Sequence, residues 1–521
     1  MTAADALRSS LEDLSAALES FQFRVLGPEQ EARERSRTEL VRSIREYLLP
    51  RLEDPDAPVV AVLVGPTGSG KSVILNSLAG HKASDPGDLR PTTRSPVVWA
   101  NRRHVRRYMK LLGGLICRDD AGVVAGDDPI TEQLTVIDAP DFDSVYDDSR
   151  VIGEQVLAVA DLCIFVASAM RYADVAAWEF LDQIRLRGLP ILFVLNRLGP
   201  DPENRKLILA DFAAMLKHRD LLLEADASLI FDVSEQVVYP RHGGLHVDAV
   251  AAIRQELALI SDPALRRAVV RQSTEGAVAE VIDKAGAIAN GIGTDRAIVS
   301  ALHTLAEEAY AVELTTSKQL VSERRLVAPG AIDGRAGIER ELAAALSRRA
   351  GVAARDAADA WDSVDEGHAI LAVAETLWRH GAETPSVAEQ EAAAWFDELE
   401  KALKPAVRRE RSRRKAAAAL ARTLLTGEGD PVGGAAADLA NDEAWRTTIL
   451  TDLEDRIASV LAEDADRFLA LTERVGIAGG LDESIRSLAA VVSERAGEFL
   501  SLIHISEPTR PPLLSRMPSS A

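Results

Sequence analysis

Apolar positions near the start of the chain recur with a helical period. Ala6, Leu7, Leu11, Leu14, Leu18 and Phe21 fall on one stripe, which predicts a helix within residues 3–26. A second helical stretch covers 31–50, and a short proline-containing linker runs from Glu53 to Pro58. The pattern then changes. Short unbroken apolar runs at 59–64, 95–100, 134–137, 161–167, 190–195 and 228–233 alternate with amphipathic helical segments. Runs without polar alternation are what strands buried on both faces look like. Strands separated by helices predict a mostly parallel, doubly wound α/β sheet over about 58–260. From about 262 the strand runs stop and long helical patterns continue to about 500, predicting an all-α bundle or stalk. The expected organisation is a helical segment over 1–52, an α/β domain over 58–260 and a helical bundle over 262–500. Residues 501–521 break the helical period with prolines beside basic and apolar residues, and read as a non-native or disordered tail.

Composition narrows the classes without changing this picture. At 521 residues the chain is too long for one ordinary core. Only 4% of residues are aromatic, and the abundant alanine, leucine and arginine favour long helices. The net charge of −21 repels nucleic acid and anionic lipid globally, so no nucleic-acid partner is expected. Cys117 and Cys163 lie far apart and outside any metal-ligand spacing, which fits a reducing cytoplasm. The first residues lack the basic and apolar regions of a signal peptide, and no apolar run is long enough to span a bilayer. The expected location is cytoplasmic, with any membrane contact peripheral at the inner face.

The candidate chemistry begins where the first strand ends. Gly65, Pro66, Thr67, Gly68, Ser69, Gly70, Lys71 and Ser72 form G-x-x-x-x-G-K-[ST] between an apolar run and a plausible helix. Glycines let such a loop wrap tightly and aim backbone N–H groups at phosphate oxygens. Lys71 supplies a charge for the β and γ phosphates, and Ser72 offers a hydroxyl to Mg²⁺. Asp138 ends a separate apolar strand, where a carboxylate suits direct or water-mediated Mg²⁺ binding. A threonine in RPTTRSPVV could complete the metal shell and sense the γ-phosphate; Thr93 is the first choice and Thr92 the second.

Taken in order, GPTGSGKS, RPTTRSPVV, DAPDFDS and VLNRLG resemble the signatures of translation-factor-class GTPases, and most closely those of bacterial dynamin-family GTPases. The resemblance covers about 58–235. It implies a P-loop GTPase domain with GTP as substrate and Mg²⁺ as cofactor, self-association through that domain or the stalk, and peripheral membrane contact. It also implies that Asn196 and Arg197 face the base, and that Thr67 holds the P-loop position used to orient water. Lys71, Thr67 and Thr93 are then the catalytic candidates, and Ser72, Thr93 and Asp138 the metal-binding ones.

Two departures accompany the resemblance. Asp141 replaces the glycine whose N–H meets the γ-phosphate in the family, and Gly199 holds the place of the aspartate that reads guanine. Asp201 lies two residues later, between prolines. These departures leave ATP open beside GTP, and a weakly hydrolysing nucleotide-gated scaffold open beside a GTPase with slow basal turnover. In the helical region, 401–425 carries nine basic residues and one acidic. It reads as a solvated face paired with acidic helices, or as a contact for anionic lipid.

Overall fold

The computed structural model describes residues 2–23, 28–54, 56–84, 96–105, 122–139, 155–222, 226–236, 238–239, 241–330, 334–373, 384–428, 434–475 and 479–504. Thr92, Thr93, Asp141 and the tail beyond 504 lie outside these residues.

Seven strands form one sheet: β1 (Val59–Val64), β2 (Val97–Asn101), β3 (Gly122–Gly126), β4 (Leu134–Asp138), β5 (Leu162–Ser168), β6 (Ile191–Leu198) and β7 (Ile230–Ser234). Their order is β3-β2-β4-β1-β5-β6-β7. All neighbours are parallel except β2 and β4. β1, β4 and β5 are buried along their whole length, as their unbroken apolar runs require. The sheet is flanked by helices, so the fold is a mostly parallel, doubly wound α/β domain accompanied by all-α segments.

Both faces of the sheet are covered. α4 (Lys71–Ala79), α7 (Ala251–Ala258) and the start of α8 (Pro263–Ser322) share one core with Val59, Ala61 and Leu63 of β1. On the other face, α5 (Val175–Leu186) and α6 (Pro202–His218) bring Trp178 and Phe212 to the sheet. Phe212 meets Phe193 and Trp178 edge-on, with ring centroids 6.3 and 5.9 Å apart.

Sequence reading did not foresee β3. Its GVVAG sequence has glycine at both ends, and its residues are half-buried or exposed at the sheet edge. It therefore lacks the apolar signal of the six runs read from the sequence.

The chain divides into two compact units. The first comprises residues 1–21, 35–289 and 480–521, and the second 22–34 and 290–479. In the first unit α1 (Ala3–Glu19) packs along α15 (Leu481–His504), burying Leu7, Leu11, Leu14 and Leu18 completely. After α2 (Pro28–Arg42), a π-helical segment (Ser43–Leu48) and α3 (Leu49–Glu53) lead to β1 and reach the end of the sheet where β1 and β5 begin. There Asp161 is fully buried. It accepts from the Tyr47 hydroxyl at 3.0 Å, from the Val60 N–H at 2.7 Å and from Arg51. The Tyr47 oxygen also lies 2.7 Å from the Ser273 hydroxyl, within hydrogen-bond distance. Burial, and the Asp161 charge beside it, push the Tyr47 phenol up, so it remains a neutral donor.

The second unit contains the rest of α8 with α9 (Gly334–Asp362), α10 (Asp365–Val373), α11 (Thr384–Ala402), α12 (Glu410–Thr426), α13 (Ala435–Asn441) and α14 (Glu443–Val475). Trp361, Trp395, Phe396 and Phe468 are completely buried at its centre. Trp361 donates its indole N–H to the Leu302 carbonyl at 2.7 Å, so its one polar atom is satisfied. Part of the basic stretch is paired: Arg413 and Arg414 approach Glu400 at 3.5 and 3.6 Å. Lys404, Arg408, Arg409, Arg411 and Lys415 are exposed. Among the described residues no helix is long and apolar enough to cross a membrane.

Candidate functional site

β1 lies at the centre of the sheet, between β4 and β5, and the site sits past its C-terminal end. Gly65 leaves the strand at φ 153°, and a Cβ there would stand 2.0 Å from the Val166 carbonyl oxygen of β5. No other residue lets the loop turn so close to that strand. The loop closes with the Ser69 N–H donating to the Pro66 carbonyl at 3.1 Å. Gly70, at φ 98°, caps α4 and has no side chain to occupy the helix's first amides. The N-terminus of α4 is therefore open toward an anion, with its positive end facing the loop.

The Lys71 side chain is only 5% exposed. Its ammonium donates to the Gly65 carbonyl at 2.7 Å and the Pro66 carbonyl at 3.3 Å. The charge thus lies across the mouth of the loop, where phosphate oxygens can replace carbonyl oxygens as acceptors. The Ser72 hydroxyl donates to Asp138 Oδ2 at 2.6 Å. The two metal candidates from different elements are therefore in direct contact, and both offer oxygen. An all-oxygen donor set of one hydroxyl and one carboxylate suits a hard cation such as Mg²⁺.

Asn196 lies on β6, two strands from β1, and is buried against the loop. Its amide donates to the Ser69 carbonyl at 2.9 Å, and its oxygen accepts from the Arg197 N–H at 2.9 Å. A Cβ on Gly70 would lie 2.3 Å from the Asn196 amide nitrogen, so this glycine leaves the room that Asn196 fills. Arg197 has φ 59°, at a register shift between Leu195 and Leu198, and its side chain is exposed. Asp201 is the N-cap of α6 and accepts from the Glu203 N–H at 3.2 Å. Ser234, the last residue of β7, accepts from Arg205 at 2.8 Å.

Three residues here carried no signal in the sequence. Arg171, in the turn after β5, donates to the Thr67 carbonyl at 2.8 Å and pairs with Asp174 at 2.6 Å. Ser84 donates to the same Asp138 oxygen as Ser72, at 2.9 Å. Asn76, within α4, binds the backbone around Ser84. A lone arginine or serine in a loop has no pattern to reveal it; only the fold brings Arg171 to the loop and Ser84 to Asp138.

No protein-family model and no curated protein matches the chain. Two solved structures of an oligomerised bacterial dynamin pair do align with it, both at 12% identity. One alignment covers 96% of this chain and 94% of the other with a TM-score of 0.35. The second covers 98% and 96% with a TM-score of 0.33. The chain is similar to a bacterial dynamin. TM-scores this low fix no correspondence between residues, so what the site can do rests on its own geometry.

Proposed function

We propose that the α/β domain over 58–260 binds GTP with Mg²⁺ and hydrolyses it slowly, and that nucleotide state governs self-association or shape change of the helical part over 262–500. The observation that carries this reading is the convergence past β1: a buried lysine across a glycine loop, an open helix N-terminus, and Ser72 in contact with Asp138. Ser72 and Asp138 would hold Mg²⁺, which neutralises charge on the β and γ phosphates. Lys71 adds positive charge from the other side. Thr67 offers its hydroxyl to the attacking water, and Thr93 is the proposed γ-phosphate sensor. Asn196 fixes the loop from the base side, and the exposed stem of Arg197 is free to lie over a base. On this reading the protein is cytoplasmic, and its contact with a membrane is peripheral, at the inner face.

A second reading has its own observation. Asp201 is committed to capping α6, and Gly199 offers no carboxylate to guanine. That favours a nucleotide-gated scaffold which accepts GTP or ATP and turns over little.

Titrations of fluorescent GTP and ATP analogues with Mg²⁺, followed by turnover at rising protein concentration, separate the two. The GTPase reading expects GTP preference, lost in Asn196→Ala, and turnover per molecule that rises as copies associate. Equal binding of both nucleotides with no hydrolysis at any protein concentration supports the scaffold instead.

A further inference from the structure

We infer that Ser84 is a positioning residue for the metal-binding carboxylate, and that α4 acts as the ruler that sets it. The inference rests on the nucleotide–Mg²⁺ reading and extends it to residues outside every motif in the sequence.

Ser72 and Asn76 stand four residues apart on α4 and therefore share one face of the helix. Ser72 reaches Asp138 directly, at 2.6 Å. Asn76 reaches it through Ser84. The Asn76 oxygen accepts from the Ala83 N–H at 2.7 Å and the Ser84 N–H at 2.8 Å. Its amide donates to the Ser84 carbonyl at 2.8 Å and to the Gly243 carbonyl at 3.2 Å. Both acceptor sites and both donors of this fully buried side chain are thus engaged, so it cannot turn without losing bonds. Ser84 is itself 3% exposed, and its backbone is held on both sides of the residue. The far side of the clamp is equally close. A Cβ on Gly244 would stand 2.8 Å from the Ser77 N–H nitrogen, and the Leu245 N–H donates to the Ser77 hydroxyl at 2.7 Å.

The result is a closed frame. One helix carries Lys71 and Ser72 at its start and, one turn later, the asparagine that pins Ser84. Both serine hydroxyls converge on Asp138 Oδ2. When a cation takes the Ser72 oxygen, that hydroxyl can keep its proton toward Asp138 only if the carboxylate holds still. Ser84 supplies the second, independent tether. Groups that orient a metal-binding carboxylate typically change metal affinity by about 10–100-fold when removed.

The test is Ser84→Ala in the full chain, with a fluorescent GTP analogue as probe. Its affinity is measured in EDTA and then across a Mg²⁺ titration. The expected result is an unchanged affinity in EDTA, which reports an intact phosphate loop, and a Mg²⁺ midpoint raised about tenfold or more. Lys71→Ala should give the opposite signature, weakened binding in both conditions. A Ser84→Ala midpoint equal to that of the Mg²⁺-dependent wild type overturns the inference and leaves Ser84 as packing alone. A wild type that binds equally in EDTA and Mg²⁺ overturns the nucleotide–Mg²⁺ reading itself, and the inference with it.

Discussion

The two ends of the central strands each bury a carboxylate completely, and the two are held differently. Asp161 sits where β5 begins, and accepts from a guanidinium, a backbone N–H and a phenol. Asp138 sits where β4 ends, and is met by two serine hydroxyls that can rotate and can offer their oxygens elsewhere. A guanidinium and a backbone N–H, which can only donate, suit a joint. Hydroxyls, which both give and accept, suit a place where a cation comes and goes. Burial alone therefore does not mark a functional acid; the kind of partner does.

Three substitutions or labels can break or sharpen this contrast. The largest effect belongs to the joint. Arg51→Ala strands Asp161 as a buried charge, and should cost about 3–5 kcal/mol of stability in denaturant unfolding. Nucleotide affinity per folded molecule should stay unchanged, and an equal loss of binding would mean the two ends are not separable. Next comes Lys71→Ala at the phosphate end. Losing a charge-assisted contact of about 1.5–3 kcal/mol should weaken GTP binding by about 10–100-fold, read by analogue titration. Its unfolding midpoint should move far less than that of Arg51→Ala. The smallest effect is at Cys163, the residue after the first of β5. Burial pushes its thiol well above the ordinary value, so it should resist iodoacetamide at neutral pH and react only after unfolding, as mass spectrometry would show. Ready labelling of the folded chain would mean that β5 opens, and the joint with it.

What could be read from the sequence follows the same physics. Six strands were legible because their apolar runs are not hidden by polar alternation, most plainly in β1, β4 and β5, which are buried throughout. β3 was not, because an edge strand framed by Gly122 and Gly126 has little to bury. Lys71, Ser72 and Asp138 were legible because phosphate and metal chemistry restricts residue type and spacing. Ser84 and Arg171 were not, since each needs only one hydrogen bond and the fold alone supplies the distance. Asn196 was placed by the apolar run of β6 that leads to it. That its amide would close on the Ser69 carbonyl, rather than stand open to a base, depends on how near β6 comes to the loop. The pairing of α1 with α15 was equally hidden, because an apolar stripe states that it needs a partner and not which one.

That pairing sets a schedule for the newborn chain. The ribosome adds about 5–20 residues each second, so the leucine stripe of α1 emerges roughly half a minute or more before α15 exists to cover it. The π-helical segment and α3 can shelter α1 sooner, since both touch it. The rest of the stripe stays available to a chaperone until α15 has been made. The unit that holds the candidate site is thus fastened by residues made almost five hundred positions after the first, and a chain released before them would carry its glycine loop on an unfinished body.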